Sequence, residues 1–290
     1  MSNVSYINLY KEGLEALHKA GIAEAELDAR LLLEYVTGAD RNTLYAHGDE
    51  LVSDDKIMQY RELIDSRSKR IPLQHLLGST CFMGLDFVVN EHVLIPRQDT
   101  ECLVEEALIH AMDGDKVLDM CTGSGCIILS IMHYKNDITG VGADISKEAL
   151  EVASLNAEHI LNAEKKERPG SLKLLQGDLF DALCDEDRNS FDMIVSNPPY
   201  IRPDVIATLE PEVKEHEPVT ALDGGEDGLD YYRKITVNAK EYLKCGGYLL
   251  YEIGYDQGSE VAEIMRNNGF MDVKVIKDLA GLDRVVSGYL

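Results

Sequence analysis

From Lys116 onward, short apolar runs with strand character alternate with segments of helical periodicity. This alternation is typical of α/β proteins, in which helices cover both faces of a mostly parallel sheet. The predicted strands are residues 116–120, 140–145, 172–176, 191–196, 248–253, 273–277 and 284–289. The predicted helices lie near residues 126–133, 147–161, 231–242 and 257–267. The C-terminal part is therefore predicted to form a doubly wound α/β sheet.

The connection between the last two predicted strands constrains the topology further. Only residues 278–283 join them, whereas parallel neighbours need a crossover of about a dozen residues or more. These strands are therefore predicted to pair antiparallel. A seven-stranded, mostly parallel sheet that ends in such a hairpin differs from the usual dinucleotide-binding arrangement. It is the expected Rossmann-like sheet of a class I methyltransferase.

The first part of the chain has a different pattern. Residues 1–77 show amphipathic helical periodicity with glycine stops, and no strand signal. Residues 78–96 contain short β-rich runs around Gly84, which predict a hairpin. We therefore expect an N-terminal helical domain at 1–77, a β-hairpin linker at 78–96 and an α/β domain at 97–290.

Two further segments carry local signals. A helix is predicted from Glu101 to about Met112, with Asp99 or Thr100 interpreted as its N-cap in preference to a ligand contact. The longest irregular region is 202–229, and loops of this length inside a domain are usually functional or disordered. Because this region directly follows the motif Asn197-Pro198-Pro199-Tyr200, which is discussed below as a substrate-binding motif, we expect it to form a wall of the substrate pocket.

Composition and charge limit the class of protein. The 290 residues are 45% hydrophobic and 28% charged, which is ordinary for a globular protein. No apolar run is long enough to span a membrane and no signal-peptide pattern is present, so a cytoplasmic location is expected. The net charge of −24 disfavours direct nucleic-acid binding. The densest basic cluster, at 67–70, is interpreted as a cationic helix end.

Cysteine and histidine spacing gives no metal motif. The six cysteines contain no C-x-x-C pair, and the eight histidines form no H-x-x-x-H pair or Cys/His group. Reduced thiols are expected rather than disulfides or zinc ligands. The sequence therefore predicts a protein without a metal.

Two features that predict binding of a nucleoside follow the first two predicted strands. Gly123 and Gly125 permit a tight turn and a close approach of the backbone to a ligand. Asp144, at the end of the next strand, can accept two ribose hydroxyl hydrogen bonds. The predicted cofactor residues are Cys121, Thr122, Gly123, Ser124, Gly125, Asp144, Asp178, Leu179 and Asn197.

NAD and S-adenosyl-L-methionine (AdoMet) both contain such a ribose. The third glycine of the dinucleotide fingerprint is absent, because Ile128 occupies its position. AdoMet has no pyrophosphate to seat on a helix N-terminus, so the spacing favours it. Asp178 is predicted to bind the adenine amino group while Leu179 packs on the ring, although a helix cap with a core leucine explains both equally well.

The motif Asn197-Pro198-Pro199-Tyr200 follows a predicted buried strand. Its prolines fix an extended or turn conformation and donate no hydrogen bonds. An amide oxygen and a proline carbonyl suit a planar NH2 group, each of whose N–H bonds needs an acceptor. A simple proline turn is the alternative. With a cofactor site upstream, we predict a substrate rim in which Asn197, Pro198 and Tyr200 are catalytic.

The assembled motifs resemble the release-factor glutamine methyltransferases, the HemK/PrmC family. The resemblance runs through nearly the whole chain. It is carried by residues 72–74 with Gly78, 94–97 with 99–101, 119–125, 197–200, 216–218, 221–225, 227–229 and 252–254. The four-residue rim alone is shared with amino-methylating nucleic-acid enzymes, whereas 94–101 and 216–229 are far more specific. Cys121 departs from the pattern, since methyltransferases of this class often have their first glycine there.

The resemblance implies a helical domain, a hairpin bridge and a class I methyltransferase domain. It implies transfer of a methyl group from AdoMet, leaving S-adenosyl-L-homocysteine, to the N5 amide of the glutamine in the Gly-Gly-Gln motif of class-1 peptide chain release factors. The helical domain is expected to grip the release factor, and the enzyme is expected to be a monomer.

Other functions remain as alternatives. An N6-adenine nucleic-acid methyltransferase would use the same rim on an unpaired base, but the acidic chain has no basic or aromatic-rich recognition segment. A non-catalytic binding module would not need the glycines, Asp144 and the whole rim together. An NAD dehydrogenase is a more distant alternative.

Overall fold

The structure is a computed structural model, which describes residues 4–163 and 166–290. The helices are α1 Tyr6–Lys19, α2 Ala25–Thr37, α3 Arg41–Ala46, α4 Asp54–Ser68, α5 Leu73–Leu77, α6 Gln98–His110, α7 Cys126–Tyr134, α8 Lys147–Ala163, α9 Pro203–Ile206, α10 Pro211–Lys214, α11 Asp230–Tyr242 and α12 Gly258–Asn267. The strands are β1 Ser79–Phe82, β2 Leu85–Val88, β3 Lys116–Met120, β4 Thr139–Asp144, β5 Ser171–Gln176, β6 Phe191–Ser196, β7 Leu243–Glu252, β8 Met271–Lys277 and β9 Asp283–Tyr289.

The chain divides into two compact units. The first, here called the helical unit, comprises Met1–Gly78 together with Glu210–His216. The second, the sheet unit, comprises Ser79–Leu209 and Glu217–Leu290. The division after Gly78 lies one residue from the domain boundary expected from the sequence. The short segment at 210–216 was not expected in the first unit, because it is distant in sequence.

The helical unit is built around apolar helix faces. Leu9 and Leu17 are eight residues apart on α1, so they lie on one face, and both are fully buried. The Tyr60 side chain of α4 is also buried and donates a hydrogen bond to the Ala29 carbonyl, 3.1 Å away. Gly13 gives that ring room, since a Cβ there would lie 2.0 Å from the Tyr60 oxygen. A small residue on α1 thus sets how closely α4 packs.

The basic cluster at 67–70 is neutralised within the helical unit. Arg67, in the last turn of α4, pairs with Asp28 at 2.7 Å and with Glu212 at 2.9 Å. Arg70 pairs with Glu212 and with Glu210, at 2.7 and 3.0 Å. Segment 210–216 therefore belongs to this unit through ion pairs as well as packing. The cluster presents paired guanidinium groups rather than a basic surface for phosphates.

The sheet unit confirms the predicted fold class. Its seven-stranded sheet has the order β5-β4-β3-β6-β7-β9-β8. The pairs from β5 to β7 are parallel, whereas β9 is antiparallel to both neighbours. The antiparallel pairing predicted from the short final connection is thus confirmed. Since β9 lies between β7 and β8, the last strand fills an inner position and β8 forms the edge.

The predicted hairpin is formed by β1 and β2. Met83 and Gly84 connect the strands and have φ values of +50° and +72°, as a two-residue hairpin turn of the primed type requires. Phe82 and Phe87 are buried and pack edge to face, with ring centroids 5.9 Å apart. The hairpin therefore packs within the sheet unit. Its role as a linker stays a prediction.

The N-cap prediction for the following helix was wrong. Helix α6 begins at Gln98 with Arg97 as its N-cap residue, so Asp99 and Thr100 lie in its first turn. Asp99 pairs with Arg284 of β9 at 3.0 Å, and Thr100 is almost fully buried. Tertiary contacts, which the local signal does not contain, determine where both side chains lie.

In the described part of the chain, no helix has the length and apolar character required to cross a membrane.

Candidate active site

A pocket opens at the carboxyl ends of β3, β4 and β6. These strands are parallel neighbours, so the residues that follow them meet at one edge of the sheet. Predicted residues that line the pocket are Cys121, Thr122, Gly123, Ser124, Asp144, Asp178, Leu179, Asn197 and Pro199. Gly125, Pro198 and Tyr200 are adjacent in sequence to residues that line the pocket, but they do not line it themselves.

The turn after β3 is held by a buried carboxylate. Asp119 is fully buried and accepts hydrogen bonds from the Thr122 hydroxyl, at 2.6 Å, and from the Ile128 amide, at 3.3 Å. Burial raises the pKa of Asp119 to about 7. This side chain anchors the turn to the start of α7 and does not line the pocket.

Left-handed backbone shapes the same turn. Cys121, at the position where a glycine is usual, has a φ of +64°, which is costly for a residue with a Cβ. Gly123 has a φ of +54°, and a Cβ built there would meet no atom within 4 Å. A Cβ on Gly125 would instead press on Leu129 and Ala153. Gly123 thus leaves its backbone open to a ligand, while Gly125 serves helix packing.

Asp144 connects the first two loops. Its Oδ2 accepts a hydrogen bond from the Gly123 amide at 2.8 Å, and its Oδ1 accepts one from the Ser146 amide at 2.9 Å. Burial raises the pKa of Asp144, although these amides oppose the rise. A carboxylate has about four acceptor positions, so further hydroxyl donors can bind it.

The loop after β5 contributes Asp178 and Leu179. Asp178 is the N-cap residue of a short 3-10 helix, Leu179–Ala182, but its side chain makes no capping hydrogen bond. The carboxylate is therefore not used as a helix cap. Leu179 lines the pocket with a φ of +50°, a second left-handed residue at this site. Strained residues of this kind concentrate at binding sites.

The rim after β6 is tied to the fold through its side chains. The Asn197 Nδ2 donates to the Thr100 Oγ1 at 3.4 Å, and the Tyr200 hydroxyl donates to Glu252 Oε1 at 3.3 Å. Burial raises the pKa of the Tyr200 phenol further above its usual range. The backbone is held as well, because Gln257 donates to the Tyr200 carbonyl at 3.1 Å.

Part of the long region after the rim packs back against it. Ile201 and Asp223 form a parallel bridge, and a Cβ on Gly224 would lie 2.5 Å from the Tyr200 Cα. Arg97 donates to both carboxylate oxygens of Glu217, at 2.6 and 2.7 Å, and that carboxylate is buried. The residues that follow Glu217 therefore reach the pocket, where Pro218, Thr220 and Ala221 line it.

Several lining residues were not predicted as site residues. They are His92, Val93, Leu94, Pro96, Thr100, Ile145, Ser146, Pro218, Thr220, Ala221 and Tyr231, among others. Many fall within or beside the segments 94–101 and 216–229 that carry the family resemblance. For 94–101 that resemblance was the available signal. For 216–229 the length of the irregular region 202–229 was a second one, since that region was expected to form a wall of the substrate pocket, and Pro218, Thr220 and Ala221 do line the pocket found here.

In residues 4–163 and 166–290, no group of three or more His, Cys, Asp or Glu side chains is arranged to hold a metal ion.

Fold and pocket together define a class I methyltransferase. A family model described as a methyltransferase domain matches residues 111–278. A crystal structure of a methyltransferase from Pyrococcus furiosus has a TM-score of 0.54 and 18% identity, covering 78% of this chain and 98% of that one. At that identity the similarity shows the fold alone.

The family follows from closer relatives. A model described as the PrmC N-terminal domain matches residues 8–78. The release factor glutamine methyltransferase of Clostridium acetobutylicum is 44% identical over 261 residues, or 89% of each chain. That of Geobacter sulfurreducens is 43% identical over 273 residues, or 94% of this chain and 92% of the relative. The chain belongs to the release factor glutamine methyltransferase family.

Proposed function

We propose that this protein transfers a methyl group from AdoMet to the N5 side-chain amide of the glutamine in the Gly-Gly-Gln motif of class-1 peptide chain release factors. The observation that carries the proposal is the orientation of Asn197. Its NH2 group donates a hydrogen bond to the Thr100 hydroxyl oxygen, so its Oδ1 remains to accept a hydrogen bond from the substrate. Relatives named for methylation of a release factor glutamine support the choice of acceptor.

The pocket fits AdoMet by the chemistry of its lining. Asp144 retains acceptor positions for ribose hydroxyls, and Gly123 lets the backbone approach a ligand closely. The Asp178 carboxylate makes no helix-capping hydrogen bond, so it can accept one from an adenine amino group, and Leu179 lines the pocket next to it. When bound, AdoMet supplies an electrophilic methyl group on its sulfonium and leaves as S-adenosyl-L-homocysteine.

The rim must bind and orient a weak nucleophile. An amide nitrogen is unreactive because its lone pair is delocalised into the carbonyl. The Asn197 Oδ1 and the Pro198 carbonyl would each accept one N–H bond of the glutamine amide. Holding both bonds fixes the nitrogen in a reactive orientation, and the same acceptors stabilise the positive charge that develops on it. The methylated nitrogen then loses a proton to solvent.

Tyr200 and Pro199 complete the proposed substrate contacts. Pro199 lines the pocket, and Tyr200, the next residue, is half-buried. Since the Tyr200 hydroxyl is bound by Glu252, the ring is held in place to pack against a flat amide and exclude water. The hydroxyl itself has no proposed chemical role.

The helical unit is proposed to bind the body of the release factor. A loop glutamine alone offers far less area than a stable protein–protein interface, which buries about 1,200–2,000 Å². Methylation of intact factor and of a short Gly-Gly-Gln peptide would separate these contributions. A monomeric state and a cytoplasmic location stay predictions.

Transfer of labelled methyl groups to purified release factor tests the proposal. We expect incorporation into factor that carries Gly-Gly-Gln, and none into a factor in which that glutamine is replaced by alanine. Equal labelling of both factors would reject the proposed acceptor. Labelling of adenine-containing oligonucleotides instead would favour the nucleic-acid alternative.

A further inference from the structure

Asn156 is a buried polar residue on an otherwise apolar face of α8. The buried residues of this helix lie on one side of it and are Ala149, Val152, Ala153, Asn156 and Ile160. Asn156 is 0% exposed, whereas most asparagines lie at the surface of a protein. A buried amide without partners would cost free energy. The burial of this side chain therefore depends on the hydrogen bonds that it makes.

The side-chain amide of Asn156 makes three hydrogen bonds, all to backbone groups. Its Oδ1 accepts from the Val88 amide at 2.7 Å, and its Nδ2 donates to the Val88 carbonyl at 3.1 Å and to the Ser124 carbonyl at 2.9 Å. A backbone N–H only donates and a carbonyl only accepts, so these partners fix which end of the amide is the oxygen. A reversed amide would lose all three hydrogen bonds.

Asn156 connects two segments that are distant in sequence. Val88 is the last residue of β2, 68 positions from Asn156, and Ser124 lies in the turn after β3, 32 positions away. The amide binds both backbone groups of Val88, as the peptide group of a neighbouring strand would. One side chain on α8 thus fixes the end of the hairpin relative to the turn after β3.

Both connected segments lead directly into the pocket. Ser124 lines the pocket itself. Val88 is followed by residues 89–97, here called the β2 loop, which contributes the lining residues His92, Val93, Leu94 and Pro96. The three hydrogen bonds of Asn156 therefore determine where two walls of the pocket lie relative to each other.

The β2 loop is also held by apolar contacts. A small buried cluster contains Val89 and Val93 of the loop and Ala149 and Val152 of α8. Apolar contacts of this kind keep the loop on the helix, but they are not directional. The hydrogen bonds of Asn156 at the start of the loop supply the direction that the cluster lacks.

We propose that Asn156 is a positioning residue that aligns the β2 loop with the turn after β3 and so preforms the pocket for AdoMet. The identity of this ligand rests on the proposed function. Alignment before binding raises affinity, because no free energy is then spent on ordering the loop when the ligand binds. Asn156 does not line the pocket, so it acts through Val88 and Ser124.

Val88 offers a test that leaves the core intact, since this residue is 37% exposed. Val88→Pro removes the N–H that Asn156 accepts, whereas Val88→Ala is the matched control that keeps it. We expect Val88→Pro to raise the dissociation constant for AdoMet about fivefold or more, since the Asn156 oxygen loses its donor. Isothermal titration calorimetry should show Val88→Ala within about twofold of the wild type.

Asn156→Asp tests the other side of the contact. Its carboxylate has the same shape and still accepts from Val88, but it cannot donate to the two carbonyls. We expect the dissociation constant for AdoMet to rise about tenfold or more. The KM for AdoMet should rise with it, while kcat at saturating AdoMet is largely retained. In the protein without AdoMet, hydrogen exchange of residues 89–97 should be faster than in the wild type.

Thr236→Val controls for a loss of stability alone. It removes a buried hydroxyl that pairs with Tyr251 at 2.9 Å, and neither residue lines the pocket. We expect this variant to have a lower melting temperature, a dissociation constant for AdoMet within about twofold of the wild type, and unchanged exchange of residues 89–97.

The results separate this inference from the proposed function. A wild type that binds AdoMet but labels no release factor would reject the function, while weaker binding in Val88→Pro and Asn156→Asp would still support the positioning role. Unchanged dissociation constants in both variants would overturn that role alone. Equal losses in Val88→Pro and Val88→Ala, or in Asn156→Asp and Thr236→Val, would also overturn it. If Asn156→Asp does not fold, the two Val88 variants decide.

Discussion

The two units each contain a buried carboxylate near a buried arginine, but these groups are paired to different extents. In the helical unit, Arg67 binds Asp28 and Glu212 at 2.7 and 2.9 Å. In the sheet unit, Glu252 accepts one hydrogen bond at 3.3 Å, and its second oxygen and the Arg284 Nε have none among the described residues. Buried charges that are fully paired are explained by the fold alone. The incomplete pairing lies next to Tyr200, the last residue of the rim.

The largest effect expected from this comparison is on stability. Arg67→Met leaves Asp28 buried without its cation and Glu212 paired with Arg70 alone, so we expect a loss of about 3–5 kcal/mol in the free energy of unfolding. Urea unfolding followed by circular dichroism measures it. The matched control is Arg61→Met on the same helix, which breaks an exposed pair with Glu12 and should cost about 1 kcal/mol or less. Equal losses would remove the distinction between the two kinds of pair.

The next effect is on catalysis. Asn197→Ala removes the acceptor of the rim, and we expect kcat/KM for release factor to fall about 10²–10³-fold, as when one donor is removed from an oxyanion hole. Binding of AdoMet should largely survive. Asn238→Ala, an exposed asparagine on α11, is the control. Near-normal turnover of the Asn197→Ala enzyme would reject the role of this side chain.

A smaller effect is expected at the cofactor pocket. Asp144→Ala removes a charged acceptor, so we expect AdoMet to bind at least about tenfold more weakly, since such hydrogen bonds contribute about 1.5–3 kcal/mol each. Isothermal titration calorimetry gives the dissociation constant. The control is Asp181→Ala, at an exposed position in the short 3-10 helix after β5, which should leave the dissociation constant unchanged. An unchanged constant for Asp144→Ala would exclude that residue from the site.

The last effect concerns pH and the incomplete pairing itself. Burial raises the pKa of Glu252 from its ordinary value of 4.5 to about 7. Between these values the folded carboxyl keeps a proton that the unfolded one loses, so raising the pH through this window destabilises the wild type. The Glu252→Gln variant lacks that penalty. We therefore expect it to gain stability relative to the wild type from about pH 5 to about pH 8, by at most about 3 kcal/mol.

Thermal unfolding at both pH values measures this difference. Parallel stability curves for the wild type and Glu252→Gln would contradict the raised pKa.

The parts of the fold that the sequence predicted best are those with local signals. Strands β3 and β6 begin and end where expected, because buried parallel strands are continuous apolar runs. The antiparallel pairing of β8 and β9 followed from the length of one loop. The short helices α3 and α5 were missed, since their few residues show no clear period.

The candidate site divides in the same way. Residues 121–124 and Asp144 were predicted because the pocket-lining residues directly follow strands of the sheet. Thr100 was taken for an N-cap because its partner Asn197 is 97 positions away. Glu252 received no individual role for the same reason, as its partner Tyr200 is 52 positions distant. A sequence pattern reports neighbours along the chain, whereas these contacts depend on the order of strands in the sheet.

Mass spectrometry of release factor after incubation with the protein and AdoMet tests the central claim most directly. Fragmentation of the peptide that contains Gly-Gly-Gln should place a single methyl group on the glutamine side-chain nitrogen, and the Asn197→Ala variant should leave that peptide almost unmodified. A methyl group on another residue, or equal modification by the Asn197→Ala variant, would contradict the account.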